Sequence, residues 1–182
     1  MTPDELIREC YPPGTKGHEI YIRHADAVAQ KALTIGDKLR HLKPHLDLLE
    51  NAARLHDIGI FLTHAPKIEC YGPMPYICHG FLGRFLLEQN GFKVMAPVCE
   101  RHVGAGLTRN YIWEKRLPLP VRDMLPETLE EKIVCYADKF FSKTGKIEAK
   151  PVDQVIQTLK HHGQEVVDRF IELQHLLEPI PS

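Results

Sequence analysis

The chain has 182 residues, 43% of them hydrophobic and 26% charged, with a formal net charge of −1. That is enough for one domain with a real core, and the near-neutral charge argues against a general nucleic-acid or membrane-surface binder. The five cysteines (Cys10, Cys70, Cys78, Cys99, Cys135) are odd in number and form no C-x-x-C pair, so neither a disulfide framework nor a cysteine zinc site is expected, and a reducing cytoplasm is the simpler location.

The N-terminus, Met-Thr-Pro-Asp-Glu-Leu-Ile-Arg, lacks the apolar core of a signal peptide, and no stretch is long and apolar enough to span a membrane. The pattern reads as helices and loops, with no convincing strand series. A short first helix is predicted over Pro3 to Cys10, ending at Tyr-Pro-Pro-Gly. A second runs from about Lys16 to Arg40, with Ile20, Ala27, Val28 and Ile35 at helical spacing and His24 on the same buried face. A third runs from about Pro44 to Ile58. Leu49, Ala52 and Ala53 put His56 on its core stripe, and Gly59 is its expected stop. Phe61 to Tyr76, with three prolines and Gly72, reads as a functional loop.

A fourth helix is predicted from about Pro75 to Gln89, where Gly80 and Gly83 permit close packing, and a short fifth from Pro97 to near Gly104, carrying His102. Leu107 to Pro126 is rich in Pro, Arg and Lys and reads as a surface excursion. Thr128-Leu129-Glu130-Glu131 is the pattern of a capping box opening a sixth helix, on which Asp138 lies among Ile133, Val134, Ala137 and Phe141. The last helix is predicted from Pro151 towards Leu177, interrupted by Gly163. Its wide apolar stripe suits packing on the rest of the chain and specifies no oligomeric state. The expected fold is all-α, a single domain over 1–182 with its core at about 18–145 and a C-terminal helix at about 151–177 packed on it.

His24, His56, Asp57 and Asp138 are polar residues on apolar stripes, and His79 and His102 lie on helices between them. Burying such groups costs several kcal/mol unless something pairs with them. A divalent ion would do so, and metal sites are commonly built where facing helices of a bundle converge. Eleven histidines make metal chemistry worth testing. Taken singly, a histidine on a helix face is more often a hydrogen-bonded core or boundary residue than a ligand, and Asp138-Lys139 reads as well as an ordinary helix-surface pair. Asp57 is the natural bridge if two ions bind, since one carboxylate has two oxygens.

In order, the chain reads His24, His56-Asp57-Ile58-Gly59, His79, His102 and Ala137-Asp138-Lys139. This resembles the HD-domain superfamily of metal-dependent phosphohydrolases, in its HDIG-bearing branch. The likeness runs from about His18 to Gly145. Arg101 to Thr108 (Arg-His-Val-Gly-Ala-Gly-Leu-Thr) and Pro126 to Val134 resemble small, largely uncharacterised prokaryotic members, and the layout is similar to that of bacterial di-iron hydrolases of dinucleoside tetraphosphates. The resemblance implies an HD helical bundle. It implies that His24, His56, Asp57 and Asp138 ligate a first metal, and that His79 and His102 add a second bridged by Asp57. The implied cofactor is divalent metal, two ions, Fe or Mn ahead of Co, Ni, Zn or Mg. Cyclic-dinucleotide phosphodiesterases of the HD-GYP type have two adjacent histidines where this chain has His102-Val103, and no Gly-Tyr-Pro follows in the corresponding loop.

The leading expectation is hydrolysis of a phosphate ester or anhydride, in a nucleotide, by a metal-activated hydroxide. Asp57 bridges and Lys139 is the first choice for phosphate, ahead of Arg101, Arg109 and Arg122. Lys115 and Arg116 read as solvated charges, Arg54 as pointing away, and His64 and Glu69 as weak acid–base candidates. The expected partner is a small phosphorylated molecule, with neither membrane nor general nucleic-acid binding. Two alternatives use the same ligands: a di-iron oxygenase of the HD fold, and a non-enzymatic regulatory domain with a structural metal.

Overall fold

The structure, a computed structural model, describes residues 1–145 and 147–179. The chain enters its first helix, α1 (Pro3–Cys10), through a complete capping box: Glu5 N–H donates to Thr2 Oγ1 at 3.2 Å, and Thr2 N–H to the Glu5 carboxylate at 2.7 Å. Thr15 caps α2 (Lys16–Lys38) by accepting from His18 N–H, and the His45 ring caps α3 (Leu46–Leu55) by accepting from Leu48 N–H. Then come α4 (His79–Gln89), α5 (Ala96–Arg101), α6 (Arg109–Glu114), α7 (Leu129–Asp138), α8 (Val152–Lys160) and α9 (Gln164–Leu177). The box expected at Thr128 is half formed. Thr128 accepts from Glu131 N–H, but the Glu131 carboxylate turns back to Glu127 N–H and Arg101 rather than to the cap.

The all-α reading holds, with departures that have local causes. The third helix stops at Leu55. His56 caps it, and Asp57 opens a 3₁₀ turn over Ile58–Leu62. The loop after it folds on itself as a small hairpin, β1 (His64–Ala65) against β2 (Cys70–Tyr71), pairing His64 with Tyr71 and Ala65 with Cys70. The surface excursion contains α6, capped by Thr108. The last predicted helix is two, because Gly163 takes φ +113°, where a helix cannot continue. No helix among the described residues is long and apolar enough to cross a membrane.

Three apolar clusters hold the helices, the smallest seating α6 through Val103, Leu107, Ile112 and Met124. One joins α2, α3, α7, α8 and α9 around Tyr136 and Phe170, whose rings stack at 5.1 Å. Another joins α1, the first half of α2 and the 3₁₀ turn through Leu6, Ile7, Tyr11, Tyr21, Leu55 and Ile58. On α2, Tyr21 and Ala25 belong to the second cluster and Val28 and Ala32 to the first. His24 therefore sits at the seam between them.

Gly59 is not a helix stop. A Cβ there would run into the backbone of His79 and Gly83, so the 3₁₀ turn and α4 lie backbone to backbone. This contact sets Asp57 beside His79. Gly59→Ala is expected to destabilise the fold by roughly 3 kcal/mol, since rigid main chain must move to admit a methyl group. Gly91 has φ +84° and open space around it, so Gly91→Ala is expected to cost about 1 kcal/mol of backbone strain alone. Urea denaturation of both variants checks the contrast, and equal losses would refute the close-contact reading.

Candidate metal centre

The six residues singled out in the sequence converge from five elements. α2 brings His24, the end of α3 brings His56 and Asp57, α4 opens with His79, α5 is capped by His102, and α7 ends on Asp138. All are buried. One donor atom each from His24, His56, Asp57 and Asp138 lies within 4.8 Å of the others, and the same holds for Asp57, His79 and His102. Asp57 belongs to both groups and offers one oxygen to each. Its Oδ2 is 3.2 Å from His24 Nε2 and 3.1 Å from His56 Nε2, while its Oδ1 is 3.4 Å from Nε2 of both His79 and His102. Asp138 Oδ1 closes the first group at 3.1 Å from His24 Nε2 and 3.3 Å from His56 Nε2.

The main chain sets the tautomers. Nδ1–H of His56 donates to Ala53 O at 2.6 Å, that of His79 to Tyr76 O at 2.7 Å, and that of His102 to Val98 O at 3.2 Å. A carbonyl oxygen only accepts, so each ring carries its Nδ1 proton outward and turns Nε2 inward. In the neutral rings that Nε2 is a lone pair. His79 Nε2 and His102 Nε2 then face each other at 3.2 Å with no proton to share. His24 Nδ1, His56 Nε2 and both Asp57 oxygens are buried without a hydrogen-bond partner, although ring nitrogens lie within ion-pair distance of those oxygens. Inward-facing imidazole and carboxylate donors left unsatisfied in this way fit divalent cations in both groups.

Burial and charge divide the histidines. Burial alone would lower His56, but the adjacent Asp57 and Asp138 carboxylates outweigh it and push its pKa up to about 9. For His79 burial wins, taking the ring down to about 3 against the pull of Asp57. Burial also lowers His102. Burial opposes ionisation of both carboxylates, yet His56 and Lys143 hold Asp57 well below the usual range, and Lys139 and Lys143 do the same for Asp138.

Lys139 Nζ lies 2.6 Å from Asp138 Oδ2. The sequence reading missed Lys143, whose Nζ is 2.7 Å from Asp57 Oδ2 and whose backbone carbonyl accepts from Arg23. It stands on the loop after α7, five residues past Asp138, where no periodicity marks it. The three arginines proposed for phosphate are placed elsewhere. Arg101 pairs with Glu127 and Glu131. Arg122 pairs with buried Glu100, which Arg84 holds from the other side. Arg109 is exposed on α6, its N–H on Asp123. Lys115 and Arg116 are exposed. Arg54 is tied to Asp4 and Asp26. His64 is exposed on β1, and Glu69 is drawn to Lys16 and Tyr71.

A cavity of about 510 Å³ opens beside the cluster and is lined by His79, His102, Asp138, Lys139 and Lys143 together with apolar groups. Both lysines and ligands of both groups thus face one space.

An HD domain family model matches residues 21–142. An uncharacterised protein of Methanocaldococcus jannaschii is 36% identical over 142 residues, 76% of this chain and 75% of that protein. Two proteins named tRNA (cytidine(56)-2'-O)-methyltransferase, from Picrophilus torridus and Thermoplasma volcanium, are 29% and 27% identical over 165 and 161 residues. Those matches take in 90% and 87% of this chain but only 42% of each relative. No solved structure matches the chain.

In chelator-treated protein, His56 is expected to stay charged through neutral pH and titrate near 9, while His79 stays neutral down to about 3. The His56 pKa is raised above the ordinary 6.5, so its contribution to stability is full below 6.5 and is lost as pH rises through about 9. His79 has the opposite sign: its contribution is present above 6.5 and is lost as pH falls towards about 3. Proton–nitrogen NMR of the imidazoles checks this, and ordinary titration of both rings near 6.5 would refute it.

Proposed function

The chain belongs to the HD domain family, and we propose that it is a metal-dependent phosphohydrolase acting on a nucleotide or other phosphate ester or anhydride. The observation that carries the reading is Asp57, a buried carboxylate with one oxygen towards each of two sets of inward-turned imidazoles, beside a cavity that two lysines share. His24, His56, Asp57 and Asp138 would hold one divalent ion, and Asp57, His79 and His102 a second, with Fe or Mn the first choices. Such ions, when bound, supply a deprotonated water at neutral pH and neutralise phosphoryl oxygens.

The chain's own residues do the rest. The carbonyls of Ala53, Tyr76 and Val98 keep each Nε2 turned inward. Asp57 spans the two sets. Lys139 and Lys143 carry fixed positive charge to the cavity side, where they would bind the phosphate and answer the charge that grows on its oxygens during transfer. The apolar part of the same wall limits water around the reacting group.

One observation favours a second substrate reading. Relatives named as tRNA methyltransferases match most of this chain over less than half of their own length. A unit carried within proteins of that name would meet RNA, so a terminal or cyclic phosphate on RNA belongs in the substrate screen.

The test is a phosphate-release screen over nucleotides, dinucleoside polyphosphates and phosphorylated RNA ends, with the protein loaded in turn with Mn, Fe and Co. Activity abolished by chelator and restored by metal is the expected result. Oxygen uptake without phosphate release would overturn the hydrolase reading in favour of an oxygenase. His79→Ala is expected to reduce bound metal from two ions per chain to one, and Asp57→Ala to remove both, read by elemental analysis. Lys143→Met is expected to keep its metal and lose roughly a hundredfold in kcat/KM, the usual scale for a group that meets developing charge. Unchanged kcat/KM would show that Lys143 does not face the substrate.

A further inference from the structure

The family match ends at residue 142, yet the cavity does not. Its wall continues onto α8, which contributes Val155, Thr158 and Leu159, onto His162 in the turn that follows, and onto Val166 of α9. Leu107, Tyr111 and Leu117 also line it, as do Tyr76, Ile77 and Phe141. The Tyr76 ring lies 4.7 Å from that of His79 at a tilt of 31°, so an aromatic face borders the ligand cluster. α9 is also fixed to the strand of loop that follows His102, because Arg169 donates to the carbonyls of Ala105 and Gly106.

The two ends of this space differ in chemistry. Lys139, Lys143 and the ligand cluster suit an anion. The recess beyond them is mostly aliphatic or aromatic; its hydrogen-bonding groups are the Thr158 hydroxyl, already given to Gln154 O, the Tyr111 hydroxyl and the His162 ring. A polyol carries more hydroxyls than these groups can partner, and the others would lose water without gaining a bond. A flat aromatic group would keep its apolar faces against the wall and could stack on Tyr76, Tyr111 or Phe141. The cavity, at about 510 Å³, falls within the roughly 300–1,000 Å³ of small-molecule sites.

We propose that this recess is a base-binding subsite in which α8 and α9, outside the family-matched segment, select a nucleoside monophosphate unit over polyol and aliphatic phosphates. The proposal rests on the hydrolase reading for its phosphate end. The aromatic moiety enters between α8 and the Tyr111–Leu117 segment, and the phosphate reaches Lys139 and Lys143.

The experiment is calorimetric binding to the full, metal-loaded chain, with adenosine monophosphate, adenosine, glycerol phosphate, decyl phosphate and inorganic phosphate as probes. Thr158→Trp, from an exposed position on α8, and His162→Trp, from the exposed turn between α8 and α9, each fill the recess, and thermal unfolding confirms that each variant is folded. Adenosine monophosphate is expected to bind the parent at least about tenfold more tightly than inorganic or glycerol phosphate. Both variants are expected to lose that advantage while inorganic phosphate binding stays the same. Equal affinity for adenosine monophosphate and inorganic phosphate, a preference for decyl phosphate, or no effect of either tryptophan would overturn the subsite. If phosphate esters are hydrolysed in that case, the hydrolase reading survives alone. Adenosine bound by the parent and lost in both variants, with no ester cleaved, would keep the subsite and sink the hydrolase reading. No binding of any probe would overturn both.

Discussion

The arrangement of the helices depends on one carboxylate. Asp57 is buried, its Oδ2 lies 2.7 Å from the Lys143 ammonium, and four imidazoles bring Nε2 within 3.4 Å of its carboxylate. An ionised carboxylate in such a place is costly unless it is compensated, so everything that surrounds it must deliver compensation at the right angle. The backbone does this first. Three of the four rings are oriented by main-chain carbonyls in the turn that precedes or carries them, so their direction is a property of the helix ends and needs no side-chain partner. The close approach of the Gly59 turn to α4 then puts His79 against Asp57. These two devices explain why His56, Asp57, His79 and His102 sit at helix ends, while His24 lies within α2. Only there can one element bring a ring, its carbonyl and a change of direction within four residues.

How much of this was readable from the chain follows from what each signal is made of. His24, His56, Asp57 and Asp138 were legible because a polar residue breaks an apolar period of 3.6, and the period survives folding. Gly59 was misread because a glycine that ends a helix and a glycine that admits a neighbouring backbone look the same in one dimension. Lys143 was invisible. It lies past the end of α7, on a loop, and its partner Asp57 is far away in the sequence. The partners of Arg101 and Arg122 were hidden for the mirror-image reason. Nearness in sequence to His102, or position in a basic stretch, says nothing about Glu131 or Glu100, which claim them in space. The break between α8 and α9 was signalled by Gly163, but a glycine inside an amphipathic stripe does not say whether the helix bends or stops.

The C-terminal hairpin links packing to the site. Val155, Leu159, Val166 and Phe170 belong to the same cluster as Val28 and Ile133, so α8 and α9 share a core with the helices that carry His24 and Asp138. Arg169 then reaches past that core to hold the loop after His102. Gly106 in this loop takes φ +84° and packs so closely on Leu125 that a side chain would not fit. The loop is therefore pinned from both sides. A segment outside the family match thus supports the position of His102 and also walls the adjoining cavity.

The lysines show how one arrangement serves two roles. Lys139 and Lys143 are counterions within the cluster: each ammonium lies within 2.7 Å of a buried carboxylate, Asp138 or Asp57. Divalent cations held by the same carboxylates would take over that role. The ammonium groups, still tethered at the cavity wall, would then be positive charge without an internal partner in a site partly shielded from water, where an unpaired charge is expensive. A phosphate entering the cavity is the group that relieves them. On this argument the two lysines need not be placed for substrate separately from the metal site. The carboxylates that gather the imidazoles also gather the ammonium groups.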